Sequence, residues 1–258
     1  MVLLFIGYRQ VRYLTRDHTG AATANARRVV DFERRLGVFT EGWVQDLALH
    51  SRTVIAFLNQ YYVTVHFPLT AIFIVWALVR HRSAFRQIRT WLYVVTVSAL
   101  AIHVAFPLAP PRMLTEHNFV DTLQQYGPRI YSTDTSQSIA NQYAAMPSLH
   151  FGWAVIVAAG FVAIKRTRGS LLAFAHPVIT LIAIVATANH YWLDAAVALG
   201  LIVATAIVVR PIADFLLRRP IVGHVDRPRC ERRPDVTRCL NVSIASGLPQ
   251  REDALSRT

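Results

Sequence analysis

The sequence predicts an all-α protein, a polytopic membrane helical bundle of five or six transmembrane helices with an amphipathic N-terminal region. Composition is the first reason, because 53% of the 258 residues are hydrophobic and only 16% are charged, whereas about a quarter of a typical soluble domain is charged. The mean hydropathy of +0.34 agrees with this. The second reason is pattern, because apolar runs near the roughly 20 residues that cross a bilayer alternate with basic clusters.

The predicted spans are five apolar runs, and a sixth depends on the start of the chain. That start, residues 1–8, is apolar but too short to cross a bilayer by itself, and basic residues follow it at once. The five runs cover residues 54–79, 91–106, 151–164, 171–188 and 195–209.

These runs divide the chain into three ranges. Residues 1–53 hold the partial span and amphipathic or interfacial helices, and residues 54–215 form the transmembrane domain with the candidate catalytic residues. Residues 216–258 are basic, have little apolar periodicity and are expected to be disordered. For residues 9–52, a helix at the membrane surface and a solvated helical linker are equally good interpretations, because the apolar stripe is narrow.

The net charge of +12 indicates a lipid bilayer as the partner rather than nucleic acid, because the basic residues lie between apolar runs and in the tail. The sequence indicates nothing about the oligomeric state. Cys230 and Cys239 lie in the tail without a pair of histidines at metal-ligand spacing. We therefore expect no metal site and no cofactor.

The basic clusters at 80–89, 165–168 and 210–219 all follow the same ends of the predicted spans. The positive-inside rule makes those ends and the C-terminal tail cytoplasmic. The opposite ends, which carry the polar motifs, are then extracytoplasmic in a multi-pass protein of a bacterial cell membrane. One stretch disagrees, because the basic region 9–52 would lie outside if a complete span preceded it.

The segment 145–150 begins the third apolar run and is the first candidate for chemistry. Pro147 suits the first turn of a helix, whose free N–H groups attract anions. Ser148 would add a hydroxyl group, and His150 would add a proton that moves near neutral pH. For these six residues alone, an ordinary capped helix is an equally good interpretation.

His190 and Asp194 are four residues apart, a spacing that places both on one face of a helix. The carboxylate can then hold one ring nitrogen and make the other a better nucleophile. Arg112 offers a bidentate group for a phosphoryl oxygen, although an arginine at a membrane boundary can also extend to head groups. Because these residues and the 145–150 segment share one predicted end of the bundle, they together indicate phosphoryl transfer without a metal.

Other polar residues of the apolar runs could complete a cavity. His66 and His103 lie inside predicted spans, where ionisable groups usually face the bundle interior, and His103 is expected near the cavity. Asn189 and Tyr191, beside the candidate nucleophile, are further possible lining residues. Three more residues could contact a head group, although tyrosines are common at membrane interfaces in any case: Asn59, Tyr61 and Tyr62.

The motifs at 109–112 (APPR), 147–150 (PSLH) and 190–194 (HYWLD) resemble the type 2 phosphatidic acid phosphatase superfamily. They are most similar to its branch with inositol phosphorylceramide synthase and bacterial inositolphosphotransferase-like membrane proteins, over about residues 59–200. The resemblance implies a phosphohistidine and these roles: His190 as nucleophile, Asp194 as its orienter, His150 as acid, and Arg112 with Ser148 as phosphate ligands.

Two departures from the phosphatases bear on the substrate. No lysine precedes Arg112, and no arginine lies in residues 171–189, so the phosphate pocket is less positive unless Arg129 or the helix N-terminus replaces them. This weakens the expectation of hydrolysis more than that of transfer. The resemblance therefore implies transfer of an inositol-phosphate-like head group from a phospholipid.

Several alternatives stay open at this point. A lipid phosphate or polyprenyl pyrophosphate phosphatase has the same motifs and differs only in what reaches the intermediate. A haloperoxidase shares the anion site in the superfamily, but the apolar spans argue against a soluble enzyme. From other classes, a transporter would show paired repeats with broken helices, which the sequence lacks, and a non-catalytic membrane anchor would not need His150 or His190.

Overall fold

The computed structural model describes residues 19–127 and 143–217, and those residues form helices joined by short loops. A π-helical turn, Tyr61–Val65, joins the third helix to the fourth, and a 3-10 segment, Arg168–Phe174, leads into the eighth. Within the described ranges the only β contact is an isolated bridge between Leu108 and Ala144, so the all-α prediction is confirmed. The helices are α1 (Thr19–Leu36), α2 (Glu41–Leu49), α3 (Arg52–Gln60), α4 (His66–Arg80), α5 (Arg82–Ala105), α6 (Thr122–Tyr126), α7 (Leu149–Lys165), α8 (Ala175–Ala186) and α9 (Trp192–Leu217).

Five apolar helices correspond to the five predicted runs. Three are long and apolar enough to cross a membrane: Arg52–Arg80, Arg82–Ala105 and Arg168–Ala186. Two shorter apolar helices, Leu149–Lys165 and Trp192–Val208, correspond to the third and fifth runs. The predicted partial span at 1–8 lies outside the described residues, as does the tail from 218 onward.

The second span begins earlier than the sequence predicts. The predicted run begins at residue 91, after the basic cluster at 80–89, but α5 begins at Arg82, and His81 alone separates it from α4. Arginine is a good helix former, so the helix continues through the basic cluster and beyond the apolar run. The polar residues therefore belong to the helix end and not to a loop.

Two basic clusters lie at the same end of the bundle. The Lys165 ammonium group, at the end of α7, lies 5.3 Å from the centre of the Trp76 ring. That ring lies 4.7 Å from the His81 ring at the turn between α4 and α5. A helix of 17 residues is about 25 Å long, so the N-terminus of α7 lies at the opposite end.

The N-terminal helix α1 packs against the loops at that opposite end. One face of α1 is buried, and its apolar residues form a core cluster with residues of three loop segments. Ala22 O accepts a hydrogen bond from Ala109 N (3.2 Å), and Asn25 Nδ2 donates to Pro107 O (2.9 Å). The amphipathic stripe of α1 is thus explained by protein packing, which neither interpretation from the sequence included. The cluster comprises Ala22, Ala26, Val29, Val30, Leu108, Ala109, Leu114, Ala145, Met146 and Tyr191.

Gly152 allows α7 to approach its neighbours closely. A Cβ atom built on Gly152 would lie 3.7 Å from Ala198 Cβ on α9 and 3.9 Å from Val95 Cγ1 on α5. These are ordinary contact distances, so a methyl group fits and a larger side chain does not. By contrast, a Cβ atom on Gly200 would have no atom within 4 Å.

We predict that Gly152→Leu lowers the stability of the bundle by about 1–3 kcal/mol, because the added side chain overpacks a filled interface. Thermal unfolding of the purified protein in detergent measures this. The matched control is Gly200→Leu, which adds the same atoms to an exposed helix position and should leave the unfolding temperature almost unchanged. Equal shifts for the two variants would show that Gly152 is not a packing constraint.

Candidate active site

Three loop segments meet at the end of the bundle covered by α1: the residues after α5, those before α7, and those between α8 and α9. Backbone hydrogen bonds hold them in register. Leu108 N donates to Tyr143 O (2.8 Å) and Ala145 N donates to Leu108 O (3.3 Å), while Arg112 N donates to Ala188 O (3.0 Å). The segments that carry the three sequence motifs are therefore linked by hydrogen bonds between their main chains alone.

Ser148 is the N-cap of α7, and its Oγ accepts a hydrogen bond from Phe151 N (3.4 Å). The prediction that Pro147 occupies the first helical turn is wrong, because the helix begins at Leu149. Serine is a favoured N-cap, so the first turn begins after Ser148 and Pro147 lies outside the helix. The cap uses a lone pair of the hydroxyl, so the O–H of Ser148 can still donate; its role as a phosphate ligand stays a prediction.

A tight turn at the end of α8 presents His190. Ala188 has a φ of +51°, in the left-handed region, and the N–H groups of Asn189 and His190 both donate to Ile184 O, at 3.0 and 3.1 Å. Together with the bond from Ala188 N to Val185 O (2.9 Å), the bond from Asn189 N makes the hydrogen-bond pattern of a Schellman helix end. A non-glycine residue in that region costs about 1–3 kcal/mol, which the surrounding hydrogen bonds offset.

His190 is held by two acceptors at the same ring nitrogen. Its Nδ1 lies 2.8 Å from Ala145 O and 3.1 Å from Asp194 Oδ2. Because a carbonyl oxygen can only accept, Nδ1 must carry the hydrogen, and the lone pair of the neutral ring is on Nε2. The same Asp194 oxygen accepts from Tyr191 N (3.0 Å), and the carboxylate is fully buried. The predicted pairing of His190 with Asp194 is therefore present.

His150 faces His190 across the site, with 6.4 Å between the ring centres. Its other neighbours come from the π-helical turn and the start of α4. The rings of Tyr62, His66 and Phe67 lie 4.5, 5.1 and 5.1 Å from the His150 ring. The sequence indicated a possible head-group contact for Tyr62 and a position inside a span for His66. Nothing in it indicated that both contact a residue more than 80 positions away.

Asn189 orients the guanidinium group of Arg112. Arg112 Nη1 donates to Asn189 Oδ1, and Asn189 Nδ2 donates to Thr187 Oγ1 (2.7 Å). Arg112 Nε also lies 3.5 Å from Asp121 Oδ2, so one carboxylate offsets part of its charge. The structure thus brings Arg112 and Asn189 together beside His190, while Arg129, the suggested replacement clamp, lies outside the described residues.

His103 and Tyr191 both anchor the backbone of the site. His103 Nε2 donates to Pro147 O (3.3 Å) from a buried position on α5. Tyr191 has no exposed surface, and its hydroxyl donates to Ala109 O (3.1 Å). The side chain packs in the core cluster under α1, and its role as a cavity-lining residue stays a prediction.

Sequence reasoning missed two buried glutamates, Glu33 on α1 and Glu41 at the start of α2. Glu33 Oε1 accepts from Leu193 N (2.7 Å), and Glu41 Oε1 accepts from Trp192 N (3.2 Å). Burial and the neighbouring Glu41 carboxyl raise the pKa of Glu33 to about 9. One signal was available, because Glu33 follows Val29 and Val30 at the helical spacing that marks the buried face.

The comparisons with known proteins agree with this geometry. A family model described as the PAP2 superfamily matches residues 27–208, which is more than half of the chain and includes all three segments of the site. No curated protein and no solved structure matches the chain. The chain belongs to the PAP2 superfamily and is a metal-independent membrane phosphatase or phosphotransferase.

Proposed function

We propose that this enzyme transfers an inositol-phosphate-like head group from a phospholipid to an alcohol through a phosphohistidine at His190. The observation that carries the proposal is the pair of acceptors on His190 Nδ1, Ala145 O and Asp194 Oδ2. They leave Nε2 as the free nucleophilic atom, on the side of a ring that faces a second histidine.

In the first step, His190 Nε2 attacks the phosphorus atom of the phosphodiester. The bond from phosphorus to the lipid oxygen breaks, and protonated His150 gives its proton to the leaving alkoxide. The imidazole becomes a positively charged phosphohistidine, which the buried carboxylate of Asp194 stabilises. Arg112 binds the non-bridging oxygens, with the O–H of Ser148 as a second donor.

In the second step, the neutral His150 acts as a base. It takes the proton of the acceptor hydroxyl, whose oxygen attacks phosphorus, and the phosphorus–nitrogen bond breaks with its electrons returning to Nε2. His150 is again protonated, so the cycle closes without a net change in the enzyme. No residue other than these two histidines needs to move a proton.

The charge of the site favours a diester substrate. A phosphodiester carries one negative charge, whereas a phosphomonoester carries about 1.5 to 2 at neutral pH. Among the described residues, Arg112 is the arginine that contacts Asn189, the neighbour of His190, and Asp121 at 3.5 Å offsets part of its charge. An arginine whose charge is partly offset suits the single negative charge of a phosphodiester. This supports head-group transfer over phosphatase action on lipid phosphates or polyprenyl pyrophosphates.

We further propose that the site opens on the extracytoplasmic face of a bacterial cell membrane. The basic ends of α4 and α7 share the other end of the bundle, and basic ends favour the cytoplasm. The C-terminal tail, which follows α9, is then cytoplasmic. The substrate would be a phospholipid of the outer leaflet.

Labelling of the enzyme tests the phosphohistidine. We expect a phospholipid labelled at phosphorus to label the protein with an acid-labile, alkali-stable bond, and His190→Ala to abolish the label and reduce kcat by at least about 1,000-fold. The matched control is His50→Ala, which removes an exposed histidine and should leave both unchanged. Label that survives acid, or remains in His190→Ala, contradicts the mechanism.

Asp194→Asn separates the charge of the carboxylate from its hydrogen bond. An amide oxygen can still accept from His190 Nδ1, and Ala145 O keeps the hydrogen on that atom. We therefore expect a loss of only about 10- to 100-fold in kcat, the worth of one charged hydrogen bond of about 1.5–3 kcal/mol. Single-turnover measurement of phosphoenzyme formation gives the value, and a loss as large as that of His190→Ala would show that Ala145 O does not fix the tautomer.

The fate of the head group distinguishes transfer from hydrolysis. With a phospholipid labelled in its head group and an added lipid alcohol or polyol, we expect label in a new phosphodiester that requires the acceptor. Label released only as a water-soluble phosphate would overturn the transfer proposal and leave the phosphohistidine intact. Phosphate release from lipid phosphates or polyprenyl pyrophosphates would then identify the phosphatase alternative.

A further inference from the structure

Two buried carboxyl groups lie side by side behind the His190 motif. Glu33 and Glu41 have no exposed surface, and Glu41 is near enough to help raise the pKa of the Glu33 carboxyl group. They meet because Gly37, with a φ of +71°, ends α1 in a left-handed turn in which Val38 N donates to Glu33 O (2.9 Å). The turn brings the start of α2 back against the last turns of α1.

Each glutamate caps the first turn of α9. Glu33 Oε1 accepts from Leu193 N and Glu41 Oε1 accepts from Trp192 N, two of the N–H groups that a helix start leaves without internal partners. The preceding N–H, that of Tyr191, is taken by Asp194 Oδ2 (3.0 Å). Three carboxyl groups therefore hold three successive N–H groups, and these span the short stretch between His190 and Asp194.

Among the described residues, no cation forms an ion pair with either glutamate. The charged or titratable groups that face Glu33 are Glu41 and Asp194, with Tyr191 beside them. Two adjacent buried anions are strongly unfavourable, so such a pair retains a proton.

The two oxygens that do not cap α9 are available to hold that proton. Oε2 of Glu33 and Oε2 of Glu41 are both buried and receive no hydrogen bond from a donor in the described residues. One proton between them satisfies both, because one oxygen then donates and the other accepts. The high pKa of Glu33, about 9, agrees with a neutral carboxyl group at physiological pH.

We propose that Glu33 and Glu41 are positioning residues for His190, a carboxyl pair that shares one proton while its other oxygens cap α9 and fix the His190–Asp194 geometry. The N-terminal helices α1 and α2 then complete the active site without contacting substrate. The effect on phosphohistidine formation rests on the proposed function, whereas the shared proton does not.

Glutamine variants test whether the Glu33–Glu41 pair holds one proton. In Glu33→Gln, the amide oxygen can cap Leu193 N and the NH₂ group can donate to Glu41, so the arrangement of the protonated pair is kept. Glu41→Gln does the same with the roles exchanged. We expect phosphoenzyme formation within about threefold of wild type for either single variant, since each keeps both caps of α9 and a hydrogen bond between the two side chains.

The double variant Glu33→Gln/Glu41→Gln should behave differently. With both amide oxygens used as caps, two NH₂ groups face each other without an acceptor, and a buried donor without a partner is strongly unfavourable. We expect phosphoenzyme formation to fall at least tenfold through kcat, with KM little changed. Glu116→Gln, at an exposed glutamate paired with Arg27, is the matched surface control and should be neutral.

The pH dependence of stability has a definite sign. Because the folded pKa of Glu33 is raised from 4.5 to about 9, its contribution to stability is fully present below pH 4.5 and is lost as the pH rises towards 9. Relative to Glu33→Gln, the unfolding temperature of wild type should therefore fall over that interval. Infrared spectra at neutral pH should also contain the C=O band of a protonated carboxyl group that Glu33→Gln lacks.

These readouts separate the two proposals. If wild type forms no phosphoenzyme with any lipid phosphate, the proposed function fails, and the infrared band and pH profile still decide the shared proton. If the double variant matches the single variants, or the band is absent, the carboxyl pair does not share a proton. If the double variant is less stable but forms phosphoenzyme at the wild-type rate, the glutamates stabilise the fold and do not position His190.

Discussion

The hydrogen bond from His190 Nδ1 to Ala145 O is the contact on which the site depends. It joins the residue that would attack phosphorus to the backbone of the segment that carries the other histidine. The bond forms only if the loops before α7 and after α8 are in register, and Ser148 N donating to Asp194 O (3.1 Å) fixes the same register from the other direction. Main-chain geometry thus sets the tautomer of a side chain.

The buried charged groups at the site end of the bundle are each held by hydrogen bonds or by an opposite charge. Inside a bundle, each unpaired charge is costly, and the structure places acids where backbone N–H groups can bind them. Asp194 and the two glutamates are all used in this way at the start of α9. Arg112 is similarly oriented by Asn189 and partly balanced by Asp121. The result is a hydrogen-bonded polar end on an apolar bundle.

The sequence predicted the helical class and the five apolar runs, and it named candidate site residues that the structure brings to one end of the bundle, because hydropathy and the spacing of short motifs are local signals. It did not predict that α5 begins at Arg82 or that Ser148 caps α7, since neighbouring residues in each stretch are equally good starting points for a helix. It could not predict the Glu33–Glu41 pair or the core position of Tyr191. Those contacts join the N-terminal helices to residues about 150 positions away, and only the folded chain brings them together.

The short α7 has a consequence for the surrounding lipid. Its 17 residues extend about 25 Å, against a hydrocarbon core of about 30 Å. If Lys165 is anchored at one interface, His150 lies below the other, deeper than the phosphates of an undisturbed leaflet. Such a hydrophobic mismatch is relieved by local thinning of the bilayer. The membrane around the enzyme would then be deformed towards the site, and bilayer thickness itself becomes one of the variables that bring a lipid phosphate within reach of the two histidines.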